Sequence, residues 1–242
     1  MNNEPKGLRL WSPEHETRDT YVTYYYPPVL GACHNNISIM TTLQSVRAVT
    51  TTLRPGGDHG CTGVEIIPGV WTAHYDDIKS FDSLKSVAPP VTLVINVAMD
   101  KCPVVNYGST VRIVAIDLLD DPDEMKAIDH LPDGPEKDEK KKELLDKLAN
   151  GNSGMTSCGN AKKDFEYVNS LIDETLSSEG AVLIHCLASL SRSPAFILAY
   201  MMKKKRMTLV EATALFKSKW DACWPADSFV MQLIEYENEL GL

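Results

Sequence analysis

Ala181-Val182-Leu183-Ile184-His185-Cys186-Leu187-Ala188-Ser189-Leu190-Ser191-Arg192-Ser193-Pro194-Ala195-Phe196-Ile197-Leu198-Ala199-Tyr200-Met201-Met202 is the stretch on which the reading of this chain turns. A short apolar β-type run stops at His185-Cys186, and a run of good helix formers follows Ser193-Pro194. The segment reads strand, tight loop, helix, with a cysteine at the strand's end and an arginine at the helix mouth. Ser193 could cap that helix, and Pro194 suits its first turn. A loop feeding a helix N-terminus presents backbone N–H groups and a positive dipole end, which together make an anion site. A cysteine held there is expected to be a thiolate near neutral pH. An arginine six residues further on offers its planar fork to two phosphate oxygens.

Cys-(five residues)-Arg, flanked by His185 and Ser193, resembles the phosphate-binding loop of the protein tyrosine phosphatase superfamily. The form HCLASLSRSPAFILAYMM is most similar to the dual-specificity phosphatases. The resemblance covers about Val64 to Leu242. It implies an α/β protein tyrosine phosphatase-like fold, with a central, mainly parallel sheet covered by helices on both faces. It also implies roles. Cys186 is the expected nucleophile. Arg192 and the backbone N–H groups of Leu187, Ala188, Ser189, Leu190, Ser191 and Arg192 are the expected phosphate cradle. Ser193 is expected to stabilise the departing thiolate, and His185 to help set the acidity of the cysteine. Asn96, in a valine-isoleucine-asparagine run, inherits a role in supporting the loop. One departure lies inside the motif: Ser189 stands where the family normally has glycine. Serine there costs on the order of 1 kcal/mol or more if the position needs a positive φ.

A phosphoester oxygen leaves poorly unless it is protonated, so the chemistry needs a positioned acid. Val111–Ile116 reads as a strand and runs into Asp117-Leu118-Leu119-Asp120-Asp121-Pro122-Asp123. The resemblance aligns Asp120 with the family's general acid. Asp121 is the rival, one register step away, and Asp117 and Asp123 are weaker choices. The spacing from Asp120 to Cys186 is roughly double the usual one, and the excess is an insertion at about 131–159. It holds a proline- and glycine-rich turn, the charged run Lys137–Glu143, and Asn150-Gly151-Asn152-Ser153-Gly154. The charged run with Leu144, Leu145 and Leu148 fits a short surface helix. The insertion is either a solvated loop or an element for substrate or partner.

The chain has 242 residues, 43% of them hydrophobic, enough for a sizeable core. Its formal net charge of −9 argues against nucleic acid or an anionic membrane as the main partner. No apolar run approaches the roughly 18 residues of a membrane span. Met1–Lys6 shows no signal-peptide pattern, and the C-terminus shows no prenylation cysteine. Cys33, Cys61, Cys102, Cys158, Cys186 and Cys223 include no C-x-x-C pair, so no zinc and no cofactor is expected. Five of them read as incidental thiols in a reducing compartment, cytoplasmic and conceivably nuclear too.

Residues 1–61 read as an N-terminal extension packed partly on a catalytic domain at 62–242. Arg9-Leu10-Trp11 and Tyr24–Leu30 are apolar enough to pack, and Ile37–Leu53 reads as a strand or a short helix. Arg54–Gly60 is a turn or linker. Val64–Trp71 reads as strand, turn and strand. Ile78, Phe81, Leu84 and Val87 give Tyr75–Val87 helical spacing, and Val91–Ala98 is a buried strand. Helical spacing returns at Phe165, Val168, Leu171, Ile172, Thr175 and Leu176. Thr208 opens a further helix with Glu211 at its third position, and Phe229–Glu237 is the closing helix. The family usually has asparagine and glycine where Ala226 and Ser228 stand, which marks an outlying member. The function these residues imply is a phosphatase acting on phosphotyrosine and phosphoserine or phosphothreonine in proteins, through a cysteinyl-phosphate. The loop carries no basic residue besides Arg192, which disfavours highly charged lipid headgroups. The alternative is a weakly active or inactive module that binds phosphoproteins. The expected partner is a phosphorylated protein, and the oligomeric state is open.

Overall fold

The apolar runs of the chain are the centre of its sheet. The computed structural model describes residues 8–11, 21–22, 36–52, 63–88, 91–118, 128, 131–140, 143 and 161–242. Its strands are β1 (Leu8–Trp11), β2 (Tyr21–Val22), β3 (Val64–Ile67), β4 (Val70–Thr72), β5 (Val91–Asn96), β6 (Arg112–Ala115) and β7 (Ala181–His185). They form one seven-stranded sheet in the order β2-β1-β6-β5-β7-β4-β3. The inner strands β6, β5, β7 and β4 run parallel, and antiparallel strands close both edges. β7 is buried at every residue, as a strand covered on both faces must be. Because these four inner strands point the same way, the segments that follow them all emerge along one edge. That edge is where open α/β sheets place their ligands.

The helices are α1 (Asn36–Thr52), α2 (Phe81–Val87), α3 (Lys162–Ser177), α4 (Arg192–Lys205), α5 (Leu209–Lys219) and α6 (Asp227–Leu240). One face of the sheet carries α3 to α6, packed through Phe165, Phe196, Phe216 and Phe229. The other is covered by α2 and the segment holding Tyr107 and Val111. α4 is buried from Arg192 to Met202, which explains why its sequence is apolar all round rather than amphipathic.

One sequence expectation resolves differently, and two are narrowed. Tyr75–Val87 is not one helix. It is a 3-10 turn at Tyr75–Ile78 and then α2, because Ser80 stops the first and caps the second through the Ser83 N–H at 3.1 Å. Asn36–Thr52 is helical despite its threonines, with Leu43, Val46 and Thr50 buried at helical spacing. α1 lies against α5 and α6, and Arg47 donates from Nε to Asp227 at 2.7 Å and from Nη2 to the Pro225 carbonyl at 2.7 Å. Tertiary packing of that face outweighs a weak local preference. In the insertion, residues 135–140 are helical and carry the ion pairs Lys137–Asp133 and Lys140–Glu136. Leu144, Leu145 and Leu148 lie outside the described residues, as do Tyr24–Leu30, Arg54–Gly60, Cys33, Cys61 and Cys158. No helix among the described residues is long and apolar enough to cross a membrane.

Two buried titrating groups pull stability in opposite directions with pH. Burial lifts the Asp164 carboxyl to about 6, over the opposing charge of Lys163. Burial lowers His185 to about 4. Between about pH 4 and 6 the folded state holds an extra proton on Asp164, so stability falls as pH rises. Between about pH 4 and 6.5 the unfolded state holds an extra proton on His185, so stability rises with pH. Asp164→Asn removes the first effect. The variant is expected to match the parent near pH 4 and exceed it by about 2 kcal/mol at pH 7. Urea midpoints at the two pH values check this, and parallel profiles contradict it.

Candidate active site

β7 delivers Cys186 to the shared strand edge, and α4 begins six residues later at Arg192. Between them the loop is fastened by its carbonyls. The Cys186 carbonyl accepts from His185 Nδ1 at 3.1 Å. The Leu187 carbonyl accepts from the Tyr75 N–H at 2.9 Å, and the Leu190 carbonyl from the Trp224 N–H at 2.8 Å. The Ser189 carbonyl accepts from Trp220 Nε1 at 3.1 Å. In a trans peptide the C=O of one residue and the N–H of the next point in opposite directions. With these four carbonyls tied outward, the N–H groups of Leu187, Ala188, Leu190 and Ser191 turn to the concave side. A ring of inward amides at a helix N-terminus is an anion cup.

Cys186 and Arg192 are both buried at this cup. Ser193 Oγ stands 3.5 Å from Cys186 Sγ. Ser193 is therefore not the helix cap that its position beside Pro194 suggests. Ser191 holds the cap position, its own hydroxyl accepts from the Ala226 N–H at 3.0 Å, and Ser193 is left inside the first turn facing the sulfur. That bond comes from the Ala226 backbone, so the chain needs no particular side chain there. Arg192 donates from Nη1 to Asp100 at 2.6 Å and to the Leu118 carbonyl at 3.1 Å. His185 is buried, its Nδ1–H is given to the Cys186 carbonyl, and its ring stacks on Tyr75 at 5.7 Å. Burial keeps it neutral at physiological pH. The other described cysteines behave as inert thiols: burial raises Cys102 to about 11 and Cys223 to about 12.

Ser189 does sit in the left-handed region, at φ 48°. Its hydroxyl donates to the Ala73 carbonyl at 2.6 Å, which offsets the strain and ties the loop to the segment after β4. Ser189→Ala keeps the strain and orphans that carbonyl, so it is expected to lower stability by about 1–2 kcal/mol. Ser189→Gly loses the bond but relieves about 1 kcal/mol of strain, so it is expected to be near neutral. Thermal unfolding of the two variants decides between them, and a glycine variant less stable than the alanine one contradicts the account.

Asn96 acts at one remove from the loop. Its side-chain Nδ2 donates to the Cys102 carbonyl at 2.7 Å and its Oδ1 accepts from the Ala98 N–H at 2.9 Å. A strand-end side chain reaches the turn that follows its own strand more readily than the neighbouring loop. Asn96 therefore closes the 97–102 turn, and that turn presents Asp100 to Arg192. Sequence reasoning missed Asp100, Tyr75, Trp220 and Trp224, because none has a fixed spacing to the motif. The one usable signal is an acid in the turn that follows a buried apolar strand. Asp120, Asp121 and Asp123 lie outside the described residues. Asp117 is exposed, and the Leu118 carbonyl on Arg192 anchors the chain just ahead of Asp120.

Comparison with known proteins gives the family of the chain. A family model described as "Dual specificity phosphatase, catalytic domain" matches residues 85–239. Dual specificity protein phosphatase 1B of Arabidopsis thaliana is 36% identical over 76 residues, 31% of this chain and 46% of that protein. Human dual specificity protein phosphatase 7 is 39% identical over 83 residues, 34% of this chain and 20% of that protein. The match thus spans less than half the length of either relative. Among solved structures, human tyrosine phosphatase-like serine/threonine/tyrosine-interacting protein superposes with TM-score 0.56 at 23% identity, over 74% of this chain and 98% of its own. Human DUSP28 gives TM-score 0.52 at 21% identity, over 75% and 96%. At those identities the structures speak for the fold alone, while the family model spans the nucleophile loop, the arginine and strands β5, β6 and β7. The chain belongs to the dual specificity phosphatase catalytic-domain family.

Proposed function

We propose that the chain is a protein phosphatase hydrolysing phosphotyrosine and phosphoserine or phosphothreonine through a cysteinyl-phosphate. The observation behind this reading is the cup itself: a cysteine sulfur, a buried guanidinium and a hydroxyl on the sulfur, all within one loop and helix start whose carbonyls are bonded to surrounding segments. The Cys186 thiolate attacks phosphorus in line, and the bond from phosphorus to the substrate oxygen breaks. Asp120 gives its proton to that oxygen. The loop amides and Arg192 hold the equatorial oxygens as charge redistributes, and Asp100 holds the arginine in place. Water then attacks the cysteinyl-phosphate with Asp120 as base, the S–P bond breaks, and Ser193 donates to the released thiolate. His185 acts through the Cys186 carbonyl rather than on substrate. The free thiols of Cys102, Cys186 and Cys223 suit a reducing compartment, cytoplasmic or nuclear.

The second reading, a module that captures phosphoproteins with little turnover, draws on the strained Ser189 alone. Phosphate release by the unmutated chain from an aryl phosphate and from phosphotyrosine and phosphothreonine peptides separates them. Release from all three is expected. Binding without release overturns the enzyme in favour of the module.

A further inference from the structure

Soluble surfaces scatter their exposed apolar side chains, so a set gathered at one place calls for a reason. Among the described residues the exposed large apolar side chains are Leu190 at 41%, Leu187 at 47%, Trp224 at 38% and Val104 at 36%. Three of the four are in the loop at 186–192 or bonded to it, and the fourth adjoins a residue bonded to one of the loop's fastenings. Leu187 and Leu190 are in the loop itself. Trp224 is fastened to it by the bond from its N–H to the Leu190 carbonyl. Val104 follows Pro103, whose carbonyl accepts from Tyr75 Oη at 3.0 Å, while the Tyr75 N–H holds Leu187. The described charges near this rim each have an acid beside them. Arg47 lies over the Trp224 ring at 4.8 Å but is paired with Asp227, Lys79 pairs with Asp76, and Lys101, 4.0 Å from Asp100, shares that carboxylate with Arg192. Among the described residues the rim therefore offers mainly apolar contact to what flanks the phosphate.

We propose that Leu187, Leu190, Trp224 and Val104 form a substrate-reading rim that selects phosphopeptides with apolar side chains near the phosphorylated residue. The proposal rests on reading residues 186–192 as the phosphate cup. The occupant follows from continuity with that cup. In an extended peptide, side chains two positions apart point to the same face. When the phosphorylated side chain points into the cup, the residues two positions before and after it face the rim on either side.

The test uses the full chain and three phosphotyrosine peptides that differ only at those two positions, carrying leucine, serine or glutamate. Affinity is read by fluorescence anisotropy with the Cys186→Ser protein, and kcat/KM with the unmutated one, beside a small aryl phosphate too short to reach the rim. The leucine peptide is expected to bind roughly tenfold more tightly than the serine peptide, and the glutamate peptide most weakly. Trp224→Ala, in the same background, is expected to weaken the leucine peptide about fivefold and the serine peptide less than twofold, and Trp224→Phe to restore the preference. Equal binding of the leucine and serine peptides overturns the proposal, as does tightest binding of glutamate or an equal loss on every peptide in Trp224→Ala. A Trp224-dependent dimer, or capture on phosphatidylserine vesicles that blocks peptide binding, assigns the rim to another occupant and overturns it too. Aryl phosphate turnover with no peptide preference removes the rim and leaves the phosphatase standing. A leucine preference in binding without any turnover keeps the rim and removes the phosphatase.

Discussion

Cys186→Ser is expected to abolish phosphate release, by at least about 10⁴-fold, while the protein still binds phosphopeptide. The serine hydroxyl is a far poorer nucleophile than a thiolate. The cup does not depend on the sulfur: its carbonyl fastenings come from Tyr75, Trp220, Trp224 and His185. Arg192→Lys is expected to cost about 10³-fold in kcat/KM, because an ammonium cannot hold Asp100 and Leu118 and still present a planar fork to phosphate. Steady-state release with an aryl phosphate, paired with phosphopeptide affinity, checks both. Turnover in Cys186→Ser, or loss of binding together with turnover, contradicts the assignment of the nucleophile.

The second large effect concerns the proton. Asp120→Ala is expected to lower kcat on phosphothreonine peptide by about 10²–10⁴-fold. Alkoxide is a poor leaving group, so its departure depends on the acid. An aryl phosphate with an electron-poor ring leaves without help, and the same substitution is expected to cost it about tenfold or less. The dependence on leaving group separates loss of a proton donor from general damage to the site. Asp121→Ala serves as the register control and is expected to change kcat by less than about threefold. If Asp121→Ala takes the leaving-group-dependent loss instead, the acid is one position later than assigned. The Leu118 carbonyl on Arg192 fixes the last described residue of this segment.

Much of the protein could be read before any coordinates. β7, the loop and α4 are contiguous in sequence, and their chemistry lies in residue types at short spacing. Local readings were weaker where a periodic pattern had to be divided: nothing in the apolar spacing of Tyr75–Val87 says that Ser80 bonds Ser83 and splits it. The sequence offers Ser193 both as a helix cap and as the hydroxyl for the thiolate, and the fold gives it the second place alone, with Ser191 at the cap position.

By itself, the order of residues determined the nucleophile, the arginine and the strand-loop-helix that joins them, since all of these depend on neighbours along the chain. Tertiary structure alone decided what surrounds them. Asp100 meets Arg192, Trp220 and Trp224 hold the loop, and Ala73 receives the Ser189 hydroxyl, all across long separations. The physical reason is the parallel sheet. It gathers the ends of strands far apart in sequence along one edge, so the partners of the loop come from segments whose spacing to Cys186 carries no signal.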